Sequence, residues 1–159
     1  GGELLRRCLA ALDHQSRRPD HVVLVDNASS DDSLRLAEAE RRGVEVVRLP
    51  TNVGFARANN LAAAAARRTD ALVLLNPDAF PAPDWLATLV DAADRHPWFA
   101  SFASQLRFAS DPERLDGAGD SYHVSGRAWR RVSSISGFTQ PSAVWSMASR
   151  NAVVIATLR

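Results

Sequence analysis

The chain has 159 residues, room for one domain of ordinary size, and 46% of them are hydrophobic, enough for a real core of strands and helices. Its 19 basic and 18 acidic residues leave a formal net charge of +1 and are scattered along most of the length, so no global field argues for a nucleic-acid or anionic-membrane partner. All 19 basic residues are arginine, and the absence of lysine excludes P-loop phosphate binding, Schiff-base chemistry and Ser–Lys dyads.

Leu4, Leu5, Cys8, Leu9 and Leu12 form one apolar stripe between charged positions, which predicts an amphipathic helix over residues 3–16 with Cys8, the single cysteine, as a small core residue. One cysteine allows no internal disulfide, and no apolar run approaches the ~20 residues of a membrane span, so the cytoplasmic side is the expected compartment. The residues Gly1-Gly2-Glu3 show no basic region followed by an apolar stretch, so they are not expected to belong to a secretory signal. The short, continuous, β-branched run His21-Val22-Val23-Leu24-Val25-Asp26 predicts a parallel strand buried on both faces. Ser29 and Asp32 make a capping-box variant that opens a helix from about 31 to 42, closed by Gly43.

Val44–Leu49 reads as a second strand, Pro50–Gly54 as a turn, and Phe55–Arg68 as an alanine-rich helix. Ala71–Leu75 is the third strand and runs into Asn76-Pro77-Asp78. Asp84 is placed to cap a helix reaching Arg95, and Trp98–Ala103 is a weaker strand candidate. Strands and helices alternate throughout. This predicts a doubly wound, Rossmann-like α/β layer with a mostly parallel sheet, whose ligand site lies outside the carboxyl ends of its strands, where Asp26 and Asp78 stand. From Ala109 onward helical periodicity disappears; Tyr122–Arg131 reads as a hairpin turning at Ser125-Gly126, and Ala152–Ala156 as a late strand. That change divides the chain into an α/β part, residues 1–108, and the start of an acceptor-side part of the same domain, residues 109–159.

Three loops project from strand ends toward one crevice: Asp26-Asn27-Ala28-Ser29, Asn52-Val53-Gly54-Phe55 and Asn76-Pro77-Asp78. With their neighbours, Val25 to Asp31, Asn52 to Asn60 and Leu75 to Asp78 resemble, in order and spacing, successive signatures of bacterial family 2 glycosyltransferases of the GT-A fold, rhamnosyltransferase-like members among them. The resemblance covers roughly residues 3–131. It implies a metal-dependent, inverting transfer of a sugar from a nucleotide-diphosphate donor to a glycan or lipid-linked acceptor hydroxyl, in the assembly of cell-surface polysaccharide or glycolipid. A cytoplasmic enzyme is implied, with room for peripheral association with the inner face of the cell membrane, and no nucleic-acid partner is expected.

Within that resemblance Asp26 matches the carboxylate that accepts hydrogen bonds from the nucleoside, with Asn27 beside it; the bland alternative is an aspartate capping its own loop. Asn76-Pro77-Asp78 stands where the family carries its Asp-x-Asp motif. Asp78 is then the candidate ligand of Mg²⁺ or Mn²⁺ and Asn76 a weaker oxygen donor, the alternative being a plain turn after a strand. Gly54 lets the backbone pass close to the donor, Asn59 faces the crevice if its helix begins near Phe55, and Arg57 either contacts the diphosphate or is an ordinary solvated helix residue. Leu115 to Arg131 resembles a segment that borders donor sugar and acceptor. Asp116 and Asp120 are there either acceptor contacts or turn formers, His123 either a proton shuttle or structural, and Trp129 either a sugar-stacking platform or a core residue.

After Asp120 there is no Asp or Glu, although an inverting transfer needs a general base of that kind. Relatives also begin with an apolar strand that by resemblance lies mid-sheet. A chain lacking it would leave the strands at 22–26 and 71–75 without their common neighbour and expose two unpaired edges. These two observations predict a fragment with negligible turnover. Other classes fit less well: a nucleotidyltransferase and a phospho-acceptor domain both need the missing lysine, whereas a module that binds nucleotide without transferring sugar stays open.

Overall fold

The structure, a computed structural model, describes residues 2–35, 43–66, 69–118, 120–122, 125, 127–130, 142–145 and 152–158. In chain order the elements are α1 (Gly2–Asp13), β1 (His21–Asp26), β2 (Val44–Arg48), α2 (Phe55–Ala65), β3 (Ala71–Leu75), β4 (Ala79–Pro81), α3 (Trp85–Arg95), β5 (Gln105–Phe108), β6 (Asp111–Ala118), β7 (Asp120–Tyr122), β8 (Ala128–Arg130), β9 (Ser142–Trp145) and β10 (Ala152–Leu158). Residues 33–35 are helical, and the rest of the helix expected there, 36–42, lies outside the described residues.

The main sheet has the order β2-β1-β10-β3, and β1 and β2 pair in parallel. Val22 to Val25 are all buried because both faces of β1 are covered. On one face Val22 and Leu24 pack with Leu5, Cys8, Leu9 and Leu12 of α1 and Trp85 and Leu86 of α3. On the other, Val23 and Val25 meet Ala58 and Ala62 of α2, whose small side chains let that helix lie close to the strand. Cys8 is fully buried, the core position expected of it.

β10 occupies the centre of the sheet. It runs antiparallel to β1, with Asp26 opposite Ala152, and antiparallel to β3, with Leu75 opposite Val154. The two open edges expected at 22–26 and 71–75 are therefore not both present: among the described residues β1 is paired on both sides, and β3 lacks a partner only on its outer side. The apolar run of β10 suits a position flanked by strands on both edges, and direction is no obstacle because antiparallel pairs form readily.

Trp98–Ala103 does not form the expected strand. Phe99 to Ala103 run without sheet pairing along a groove of about 1130 Å³ that follows the outer edge of β3, and Trp98 and Phe99 stay more than half exposed. The sequence 98–103 carries aromatic rings but little β-branching, and those rings stack on one another and on His96 instead. A second sheet, β4-β9-β5-β6, joins strands from before and after residue 109. The hairpin expected near Ser125 is present as β7 and β8, with Ser121 opposite Trp129.

Candidate functional site

Asp26 ends β1, and Asp78 lies three residues past the end of β3. Because β1 and β3 both run antiparallel to β10, they are parallel to each other and release their following loops at the same edge of the sheet. Val154 faces Leu24 on one side and Leu75 on the other, so Asp26 stands two residues beyond that common level and Asp78 three. β10 alone lies between β1 and β3, which sets those two strands ~10 Å apart. Alternation puts Asp26 on the face of Val22 and Leu24, against α1. The Asn76-Pro77-Asp78 turn is held from the same face, since Cys8 Sγ of α1 donates to the Asn76 carbonyl at 3.5 Å.

Asp26 is half-buried, and its Oδ1 accepts the Ser29 amide at 2.9 Å, which is the loop-capping role open to a strand-end aspartate. Ala28, inside that turn, takes a left-handed φ of 59°. Asn27 is 1% exposed, and both ends of its amide are engaged across the crevice. Nδ2 donates to Asn52 Oδ1 at 3.0 Å, and Oδ1 accepts the Val53 amide at 2.9 Å. Asn52 Oδ1 also accepts the Gly54 amide at 2.9 Å. Asn27 and Asn52 thus staple the loop after β1 to the loop before α2.

Gly54 opens α2 with φ 83° and ψ 163°, a conformation only glycine adopts without strain. A Cβ there would meet nothing within 4 Å, so the glycine is required by backbone conformation and not by crowding. Arg57 is exposed in the first turn of α2. Asn59 is 6% exposed; its Nδ2 donates back to Phe55 O at 2.9 Å while its buried Oδ1 has no hydrogen-bond partner. Asp78 is 3% exposed, and Asn76 is half-buried with its carbonyl accepting the Ala79 amide at 3.0 Å. Asp116 is half-buried on β6. His123 and the side chains of Asp120 and Trp129 lie outside the described residues.

Among the described residues no group of three or more His, Cys, Asp or Glu side chains gathers into a cation site. Asp84 stands at the N-cap of α3 but makes no side-chain cap bond; the Leu86 amide is taken instead by Gln15 Oε1 at 3.0 Å. Gln15 is thus a polar residue of this region that lies outside all three motifs, and Asn52 one that the second motif contains without assigning it a role.

The sequence matches the family described as glycosyl transferase family 2 over residues 2–136. The chain belongs to that family. Two solved structures share the layered α/β fold. One is S. aureus TarS, with a TM-score of 0.52 and 24% identity over 67% of this chain and 19% of that one. The other is S. aureus TarS 1-349 in complex with UDP, with a TM-score of 0.51 and 21% identity over 77% of this chain and 39% of that one. At these identities the likeness is one of fold, and the chain spans less than half the length of either. A comparison with curated proteins found no match.

Proposed function

We propose that this family 2 domain binds a nucleotide-diphosphate sugar and serves an inverting transfer of the sugar to a hydroxyl of a glycan or lipid-linked acceptor. In this reading residues 1–108, completed by β10 between β1 and β3, hold the donor, and the rest of residues 109–159 begins the acceptor side. The observation that carries it is that Asp26, ending β1, and Asp78, in the turn after β3, leave strands of common direction at one end of the sheet. Crevices of this kind, outside the carboxyl ends of α/β strands, are where nucleotides bind. TarS 1-349 has been crystallised with UDP, which makes UDP the probe of choice.

In the transfer, the acceptor oxygen forms a bond to the anomeric carbon as the bond from that carbon to the diphosphate breaks; a base takes the hydroxyl proton, and the diphosphate leaves with the electron pair. Asp26 would orient the nucleoside through its ribose or base donors, with the Asn27–Asn52 staple fixing the loop beneath. Arg57, on the exposed first turn of α2, has the fork geometry that suits a phosphate. A bound Mg²⁺ or Mn²⁺ would neutralise charge growing on the departing diphosphate. Asp78 fits as its protein ligand: it is a nearly buried carboxylate at the crevice edge, and such cations take their remaining positions from phosphates and water.

The test is calorimetry of UDP with the purified chain, with and without Mn²⁺. Affinity that rises with Mn²⁺ and loses that rise in Asp78→Asn, together with a loss of binding in Asp26→Ala under both conditions, is the expected result. UDP binding indifferent to both substitutions would overturn the assignment.

A further inference from the structure

We infer that Gln15 is a positioning residue for Asp78, acting through the Asn76–Leu86 segment; the inference rests on the reading that Asp78 faces the donor's phosphates. Gln15 is 4% exposed and every polar atom of its side chain is engaged. Its Nε2 donates to Ala82 O at 2.7 Å and to Ala11 O at 3.1 Å. Its Oε1 accepts the Leu86 amide at 3.0 Å.

Two of those partners, the Ala11 carbonyl and the Leu86 amide, are orphans of helix ends, while the Ala82 carbonyl also accepts the Trp85 amide at 3.0 Å. Ala11 lies in the last turn of α1, whose carbonyls have no partner within the helix, and Leu86 lies in the first turn of α3, whose amides have none. One side chain therefore caps the end of α1 and the start of α3 at once, and fixes Ala82 between them. The adjacent Ser16 amide adds a bond to Pro83 O at 2.7 Å. At the far end of the same segment Cys8 Sγ holds Asn76 O at 3.5 Å, and between the two anchors the Arg7 guanidinium lies 4.2 Å from the centre of the Phe80 ring. Asp78 stands between these anchors.

A carboxylate that is 3% exposed takes its aim from the backbone beneath it and has little freedom to correct a shift by changing rotamer. Where a charged group must meet a phosphate-bound cation, a displacement on the order of 1 Å is costly to function. Loosening the Gln15 anchor leaves Asp78 chemically intact but unaimed. The effect is confined to the phosphate end of the crevice, because the bonds that hold Asp26 to Ser29 and staple Asn27 to Asn52 and Val53 do not involve Gln15.

The experiment is UDP calorimetry on the purified chain with Mn²⁺ and without it, in Gln15→Met, Gln15→Glu and Asp78→Asn. Methionine keeps the length and loses all three bonds; glutamate keeps the acceptor for the Leu86 amide. The Mn²⁺-dependent gain in UDP affinity is expected to fall on the order of tenfold in Gln15→Met and less in Gln15→Glu, with Mn²⁺-free affinity unchanged in both. If Gln15→Met does not fold, Gln15→Glu carries the comparison. A wild-type Mn²⁺ gain in a folded Gln15 variant, with only the melting temperature lowered, overturns the positioning role and leaves the assignment of Asp78 standing. A wild-type gain in Asp78→Asn overturns both.

Discussion

Thr69 and Leu158 clasp the end of the main sheet away from the crevice: Thr69 Oγ1 lies 2.6 Å from Leu158 O and accepts the Leu158 amide at 3.2 Å. The Asp70 amide reaches the same carbonyl at 3.1 Å. Leu158 is the last described residue and 3% exposed, so this clasp ties the final strand to the loop before β3. Thr69→Val keeps the shape and removes the hydroxyl, leaving the Leu158 amide without its acceptor. A loss of about 1–2 kcal/mol is expected, read as a lower urea midpoint with an unchanged slope. An unchanged midpoint would show that the clasp contributes nothing.

The placing of β10 marks the limit of what the fold reading reached. Local pattern gave β1, β3, α2 and α3 within a residue or a few, because their periodicity and punctuation are local properties. It also gave a strand at 152–156. What it could not give was the partner of that strand: Ala152–Leu158 is apolar on both faces and would suit any interior slot, and strand direction is not written in side-chain pattern. The open slot between β1 and β3 was legible, and so was a strand without a home, but joining the two is a long-range event.

Asn27 carries the second prediction. Asn27→Ala leaves the Val53 amide without its acceptor and frees the loop before α2 from the loop after β1. About 2 kcal/mol of stability should be lost, and UDP affinity should fall although Asp26 is untouched. Asn27→Asp is the sharper variant. It keeps the acceptor for Val53 but sets a carboxylate against Asn52 Oδ1, so part of the staple is lost to repulsion. A variant as stable as wild type by denaturant titration would show that the staple is dispensable.

The crevice itself was half legible. Asp26 and Asp78 could be found because strand-end carboxylates follow continuous apolar runs, and topology then brings the two to one edge. Gln15 could have been found as the polar residue on the apolar line of Cys8 and Leu12, a position where a buried amide demands partners. Its partners Ala82 and Leu86 lie more than sixty residues away and are backbone groups, so no residue type betrays them.

Acid should weaken the start of the helical segment at 33–35. Asp31 has its carboxyl held below the usual aspartate range, first by the Ser33 hydroxyl and then by the Ser33 amide, which Oδ1 meets at 3.1 Å. A depressed folded value means the contribution is present above the unfolded pKa of about 3.9 and is lost as pH falls through the lower folded value. Asp31 is exposed, so the effect is on the order of a few tenths of a kcal/mol. The drop in melting temperature between pH 5 and pH 3 should be smaller in Asp31→Asn than in wild type; equal drops would remove Asp31 from the account.

Asn59 separates a structural role from a binding one. Its Oδ1 is buried without a hydrogen-bond partner, and an unsatisfied acceptor costs stability unless something else in the working protein meets it. Asn59→Leu removes that acceptor while keeping the branched shape, with bulkier methyls, and gives up a bond from Nδ2 to Phe55 O, a carbonyl the helix backbone also serves. The apo variant should be as stable as wild type or more stable by up to about 1 kcal/mol. If Asn59 meets the donor, the same variant should lose UDP affinity several-fold despite its intact fold, a pairing of gain and loss expected of a residue kept for function. A destabilised Asn59→Leu that binds UDP normally would make Asn59 a core residue whose acceptor is met within the protein.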